Sequence, residues 1–153
     1  MADLAQTAAS VLKDTTFTGN QEIQELGGEA INAGEPVYQT SASNGYWFRA
    51  NCANGFLSGN VNGARLALSE VAGAGQPLTT LKTGRINLGA TLELGETYCI
   101  ALNTGKIRPL KDMLVNEFTT ILGVAKNTTH LTMPSTGSVV TDAARATNAR
   151  TIA

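Results

Sequence analysis

The residues with chemical potential in this chain are few and scattered. A single histidine, His130, falls among Thr128, Thr129 and Thr132, with no second histidine and no serine nucleophile elbow to complete an acyl-transfer set. Cys52 and Cys99 stand far apart and match no metal-ligand spacing, so they are expected as two buried free thiols. The neighbouring acids, Glu22 with Glu25 and Glu93 with Glu96, lie in turn-like stretches without the spacing of a cation loop. Gly73-Ala74-Gly75 opens a strand through Gln76-Pro77, and Gly105-Lys106 lacks the upstream glycine and the following Ser or Thr of a phosphate loop. Catalytic residues, a metal and a cofactor are therefore not expected, and neither is enzymatic activity.

The one concentrated cluster is Tyr46-Trp47-Phe48, which carries the only tryptophan and lies near Tyr38. In a strand, Tyr46 and Phe48 point to one side and Trp47 to the other. One side is read as facing a subunit interface or ligand; an all-core reading of the three stands beside it, because a chain with 5% aromatics needs its largest side chains for packing.

The elements that would position these residues are short strands. At 153 residues the chain suits one domain. Charged residues are only 15% and the net charge is −1, which favours a surface partly covered by other chains and gives no basic stripe for nucleic acid. No segment is apolar enough to span a bilayer, and the start of the chain lacks the pattern of a signal peptide, so synthesis in the cytosol is expected. Before Pro36, six acids stand against Lys13 alone: an acidic arm, solvated or docked on a basic surface.

Residues 3–13 place Leu4, Ala8, Val11 and Leu12 on one face of a short helix capped by Asp3, with an extended arm as the equal alternative. Residues 15–28 read as an edge strand or a loop. Beyond Gly28, turn residues cut the chain into short runs, predicting strands over 36–40, 46–50, 64–70, 77–82, 85–90, 97–102, 106–110, 119–126 and 130–133. Asn44-Gly45 is a strong hairpin signal; Thr104-Gly105 and Thr83-Gly84 are weaker ones. A helical turn is expected over 112–118. Gly34-Glu35-Pro36-Val37-Tyr38 and Gly95-Glu96-Thr97-Tyr98-Cys99 each lead through a strand to a tight turn and a returning strand, read as a repeated hairpin within one barrel. The fold class is all-β: a small barrel or sandwich of short antiparallel strands with extended N-terminal and C-terminal arms. The division expected is an arm over 1–27, a β-barrel body over 28–133 and a flexible tail over 134–153.

Several segments in order carry a family resemblance: the opening Leu4-Ala5-Gln6-Thr7-Ala8-Ala9-Ser10-Val11-Leu12, then Gly28 to Tyr38, Leu66-Ala67-Leu68, Ala74 to Leu78, Ile86 to Leu92, Gly95 to Tyr98, Thr104 to Ile107 and Leu122 to Ala125. From about Asp3 to Met133 the chain resembles the small head-decoration (capsid cement) proteins of tailed phages, of the DUF2190-like kind. The resemblance implies a virion structural protein, located on the outer surface of the capsid and bound to the major capsid protein lattice, stabilising the phage head. It also implies self-association, a trimer ahead of a dimer, and it carries no catalytic residues. The contact residues expected are Leu4, Val11 and Leu12 in the arm, with Tyr46 and Trp47 in the body. Deleting residues 1–14 is expected to leave a folded barrel. The alternative is a glycan-binding or fibre-anchoring virion appendage, with Tyr38, Tyr46 and Trp47 as a stacking platform and Asn44, Arg49 and Asn51 as polar partners.

Overall fold

A computed structural model describes residues 3–40, 44–52, 60–113 and 119–133. The architecture is all-β, with a five-stranded closed barrel beside a six-stranded sheet. In chain order the strands are β1 (Val11–Lys13), β2 (Gln21–Gly27), β3 (Pro36–Thr40), β4 (Tyr46–Arg49), β5 (Asn60–Ala67), β6 (Pro77–Thr83), β7 (Arg85–Leu88), β8 (Thr97–Ile100), β9 (Ile107–Pro109), β10 (Ile121–Ala125) and β11 (His130–Thr132). The barrel runs β2-β4-β3-β5-β6 and the sheet β1-β7-β11-β10-β8-β9. All nine strands expected beyond Gly28 form.

The two halves repeat one plan. In the barrel, β3 pairs antiparallel with β4 and β5, β5 with β6, and β6 with β2. In the sheet, β8 pairs antiparallel with β9 and β10, β10 with β11, and β11 with β7. The entry turns match as well. Gly34 (φ +90°) donates to Ala67 O, and Ala67 donates back to Glu35 O; Gly95 (φ +80°) donates to Ala125 O, and Ala125 donates back to Glu96 O. A positive φ favours glycine, which explains why the same Gly-Glu pair opens both halves. The repeated hairpin is therefore not housed in one barrel: one copy belongs to each half. Thr83-Gly84 is likewise no hairpin, because it joins the last barrel strand to the first strand of the second half.

Closure distinguishes the halves. In the barrel β2 meets β4 directly, in parallel, at Leu26↔Tyr46 and Gly27↔Trp47. In the sheet the corresponding strands, β7 and β9, are bridged by the N-terminal segment: Val11–Lys13 pairs antiparallel with β7, and Leu4 N–H donates to Ile107 O of β9 at 2.8 Å. Gln6 Nε2 adds bonds to Gly34 O at 2.9 Å and Leu88 O at 3.1 Å. The segment is extended, with a single 3-10 turn at Ala8–Ser10, so the capped helix over 3–13 does not form. Edge pairing and the burial of Val11 outweigh a helical propensity too short to nucleate alone. Residues 21–27, read as the end of the arm and as an edge strand or a loop, form β2, a barrel strand paired with β6 along Gln21–Leu26 and with β4 at Leu26 and Gly27.

The main core joins the inner face of the sheet to the outer face of the barrel, with Val11, Leu66, Leu81, Ile86, Leu88, Tyr98, Ile100, Ile107 and Leu131 all buried. A second cluster fills the barrel: Ile31, Val37, Trp47, Ala67, Val71 and Leu78. A third, small cluster puts Cys52, Cys99 and Met113 together as free thiols and thioether. Leu110–Asp112 forms a 3-10 turn, and the rest of the helical turn expected there, residues 114–118, lies outside the described residues, as does the tail from 134 onward.

Candidate docking surface and groove

The structure separates the five expected contact residues. Val11 is 4% exposed and Trp47 fully buried, so neither offers a surface; Leu4 is partly buried against the main core. Only Leu12, 67% exposed, and Tyr46, half-buried, face outward, and they lie in different halves. Alternation decides this: Val11 shares the inward face with Leu88, whereas Leu12 lies opposite Asn87.

Trp47 has a specific inner environment. The Arg65 guanidinium lies 4.4 Å from its ring centroid, Arg65 Nη1 bonds Glu25 Oε1 at 2.7 Å, and the same nitrogen is 3.4 Å from Thr80 Oγ1. An arginine buried in a barrel is tolerated because its charge is paired and its flat face covered. Trp47 thus belongs to the all-core alternative and cannot stack on a ligand. Of the polar partners named for such a platform, Arg49 Nη2 lies 3.5 Å from Glu29 Oε1 and Asn51 Nδ2 bonds Thr104 Oγ1 at 3.1 Å, while Asn44 is exposed in its turn.

Those bonds belong to a junction between the halves. The turn carrying Gly105 docks on the barrel through Gly105 N–H to Ala50 O at 2.9 Å, close to Glu35. Glu35 Oε1 accepts from Asn32 N at 2.6 Å, and Arg49 lies 3.9 Å from its other oxygen. Burial pushes the Glu35 carboxyl above its ordinary range, against the lowering effect of the Asn32 N–H and the Arg49 charge. Tyr38 is raised too, first by burial and then by Glu29. This cluster holds the two halves together.

Two outward features remain. The outer face of the sheet brings Leu12, Asn87 and His130 into one row, and Arg85, Thr132, Val124 and Thr97 into the next. Arg85 is engaged by Asp14 at 3.7 Å and stacks on Phe17 at 4.5 Å. Asp14 is held below its ordinary range, chiefly by the Thr16 hydroxyl. The face is poor in charge and carries three exposed aliphatics, Leu12, Val124 and, opposite Cys99, Ile121. His130 serves turn chemistry: Asn127 Oδ1 accepts from its N–H at 2.8 Å and from Thr129 N at 2.9 Å.

The other feature is a groove of about 480 Å³ in the barrel wall, lined by Gln24, Glu25, Leu26, Asn44, Gly45, Tyr46 and Pro77. It opens where the β2–β4 pairing stops, since among the described residues β4 pairs with β2 at Leu26 and Gly27. Asn44 (φ 55°) and Gly45 (φ 86°) form the tight turn that the sequence signalled, and it forms one wall. Sequence reasoning located Tyr46 but missed Gln24, Glu25, Leu26 and Pro77, because residues 15–28 read as an edge strand or a loop and their partners were unknown. No family model, curated protein or solved structure matches the chain. Among the described residues no group of three metal-ligating side chains converges.

Proposed function

We propose that this chain is a virion structural protein that attaches to the outer surface of a phage head and stabilises the shell. The observation that supports the reading best is the outer face of the six-stranded sheet. Its neighbouring rows carry Leu12 and Val124 among Asn87, His130, Thr97 and Thr132, with Arg85 already paired. Depletion of charge with exposed aliphatic side chains is the composition of an interface core rather than of free surface. Leu94, 72% exposed in the turn before β8, extends the apolar character of the same half. The ordered family resemblance gives the partner, the major capsid protein lattice, and a shared load explains the build: two β modules locked by a buried junction resist shear without needing a cleft.

The test is cosedimentation with heads assembled without this protein. Wild type is expected to pellet with expanded shells, and Leu12→Glu combined with Val124→Glu to stay in the supernatant while retaining its β circular dichroism. Equal pelleting of the folded double variant would remove this face from the reading.

A further inference from the structure

The seam between β7 and β9 is filled by the chain's own N-terminal segment, and the corresponding seam in the barrel, between β2 and β4, holds the groove. The correspondence is residue by residue. Ala67 pairs with Thr80 and Thr80 with Ile23 in the barrel; Ala125 pairs with Leu131 and Leu131 with Ile86 in the sheet. Ile23 thus matches Ile86, and Gln24, which lines the groove, matches Asn87, the partner of Leu12. Beyond its pairing with β6, β2 meets a strand only at Leu26 and Gly27 among the described residues, so the Gln21–Glu25 edge offers main-chain groups to an incoming strand.

The sequence of the strand that fills the first seam has an echo later in the chain. Ser10-Val11-Leu12-Lys13-Asp14 is echoed by Ser138-Val139-Val140-Thr141-Asp142, a β-branched run in an otherwise small and polar stretch. Residues 138–142 lie outside the described residues. We propose that the β2–β4 groove is a strand-acceptor site for the Ser138–Asp142 segment of a second copy of this chain. The segment lies antiparallel to β2 as β1 lies antiparallel to β7, with Val140 beside Gln24 and the pairing ending at Val139 beside Glu25, because Leu26 is already paired with Tyr46.

The second copy, rather than the same chain, follows from reach. Met133 N–H is bonded to Gly84 O, and Gly84 abuts Asn20 just before β2 begins. To enter antiparallel, residues 134–138 of the same chain would have to travel the length of β2 and turn back, yet five residues span at most about 17 Å when fully extended. The inference is independent of capsid attachment, because it concerns copies of the purified chain alone, and either could fail without the other.

The test uses the full-length chain. Sedimentation equilibrium is expected to show concentration-dependent self-association for wild type and a monomer for Val139→Asp. Isotope-labelled Val139→Asp chain is then titrated with an unlabelled peptide of residues 134–146. Amide shifts should concentrate at Gln24, Glu25, Leu26, Gly45 and Tyr46, and a peptide carrying Val139→Asp should bind at least about tenfold more weakly. A monomeric wild type whose groove amides shift between wild type and variant independently of concentration would overturn the second-copy source. Absence of shifts at β2 and β4, or equal binding of both peptides, would overturn the site.

Discussion

Arg65 shows how much of this barrel depends on one side chain that no motif marks. It sits beside Trp47 and Glu25 with 7% of its side chain exposed, and its removal leaves the Glu25 carboxylate without its cation. Arg65→Leu is expected to lower unfolding free energy by roughly 3 kcal/mol, and adding Glu25→Leu to recover a good part of that loss, measured by urea denaturation of the three variants. Glu35 gives a pH signature. Because burial raises its folded-state value above 4.5, ionised Glu35 opposes folding near neutrality, and the opposition fades as pH falls through the folded value. Glu35→Gln should therefore gain on wild type at neutral pH and lose that advantage on acidification below 4.5; a pH-independent difference would contradict the assignment. Asp14 acts in the opposite sense, its contribution being present above 3.8 and lost as pH falls through its depressed value. Little of this was legible in sequence. The alternation in Tyr46-Trp47-Phe48 separated Trp47 from its neighbours, but which side was core depended on Arg65 and Leu78, residues brought there by pairings that local pattern does not encode.

Elements were legible where side-chain alternation and turn chemistry agreed. Asn44-Gly45 between two alternating runs fixed β3 and β4, and the Gly-Glu turns fixed the starts of β3 and β8. The sequence left β1 and β2 open between helix and extended arm, and between edge strand and loop; they become strands because β7 and β6 present edges to them. The N-terminal segment is accordingly part of the fold. Val11→Ala is expected to cost about 2 kcal/mol and Leu12→Ala less than about 0.5 kcal/mol, although the two residues are adjacent. Deleting residues 1–14 should not spare the fold, as the arm reading implied, but lower the midpoint of thermal unfolding markedly by opening the β7–β9 seam. An unchanged midpoint for that deletion would show that the seam contributes nothing.

At the scale of the molecule, one five-stranded plan is used twice: closed on itself in the barrel, and completed by an inserted segment in the sheet. The echo between the two Gly-Glu hairpins was visible in sequence, but strand order alone shows that it extends to whole halves, because β2 and β7 share position without sharing residue pattern. The all-β class was legible throughout, while the attachment reading rests on the ordered resemblance and on the charge-poor sheet face. Electron cryomicroscopy of purified virions tests that reading most directly. The account predicts density for this chain on the outside of the head, with the Leu12–Val124 face against the major capsid protein. Heads lacking that density, or density in which this face points to solvent, would contradict it.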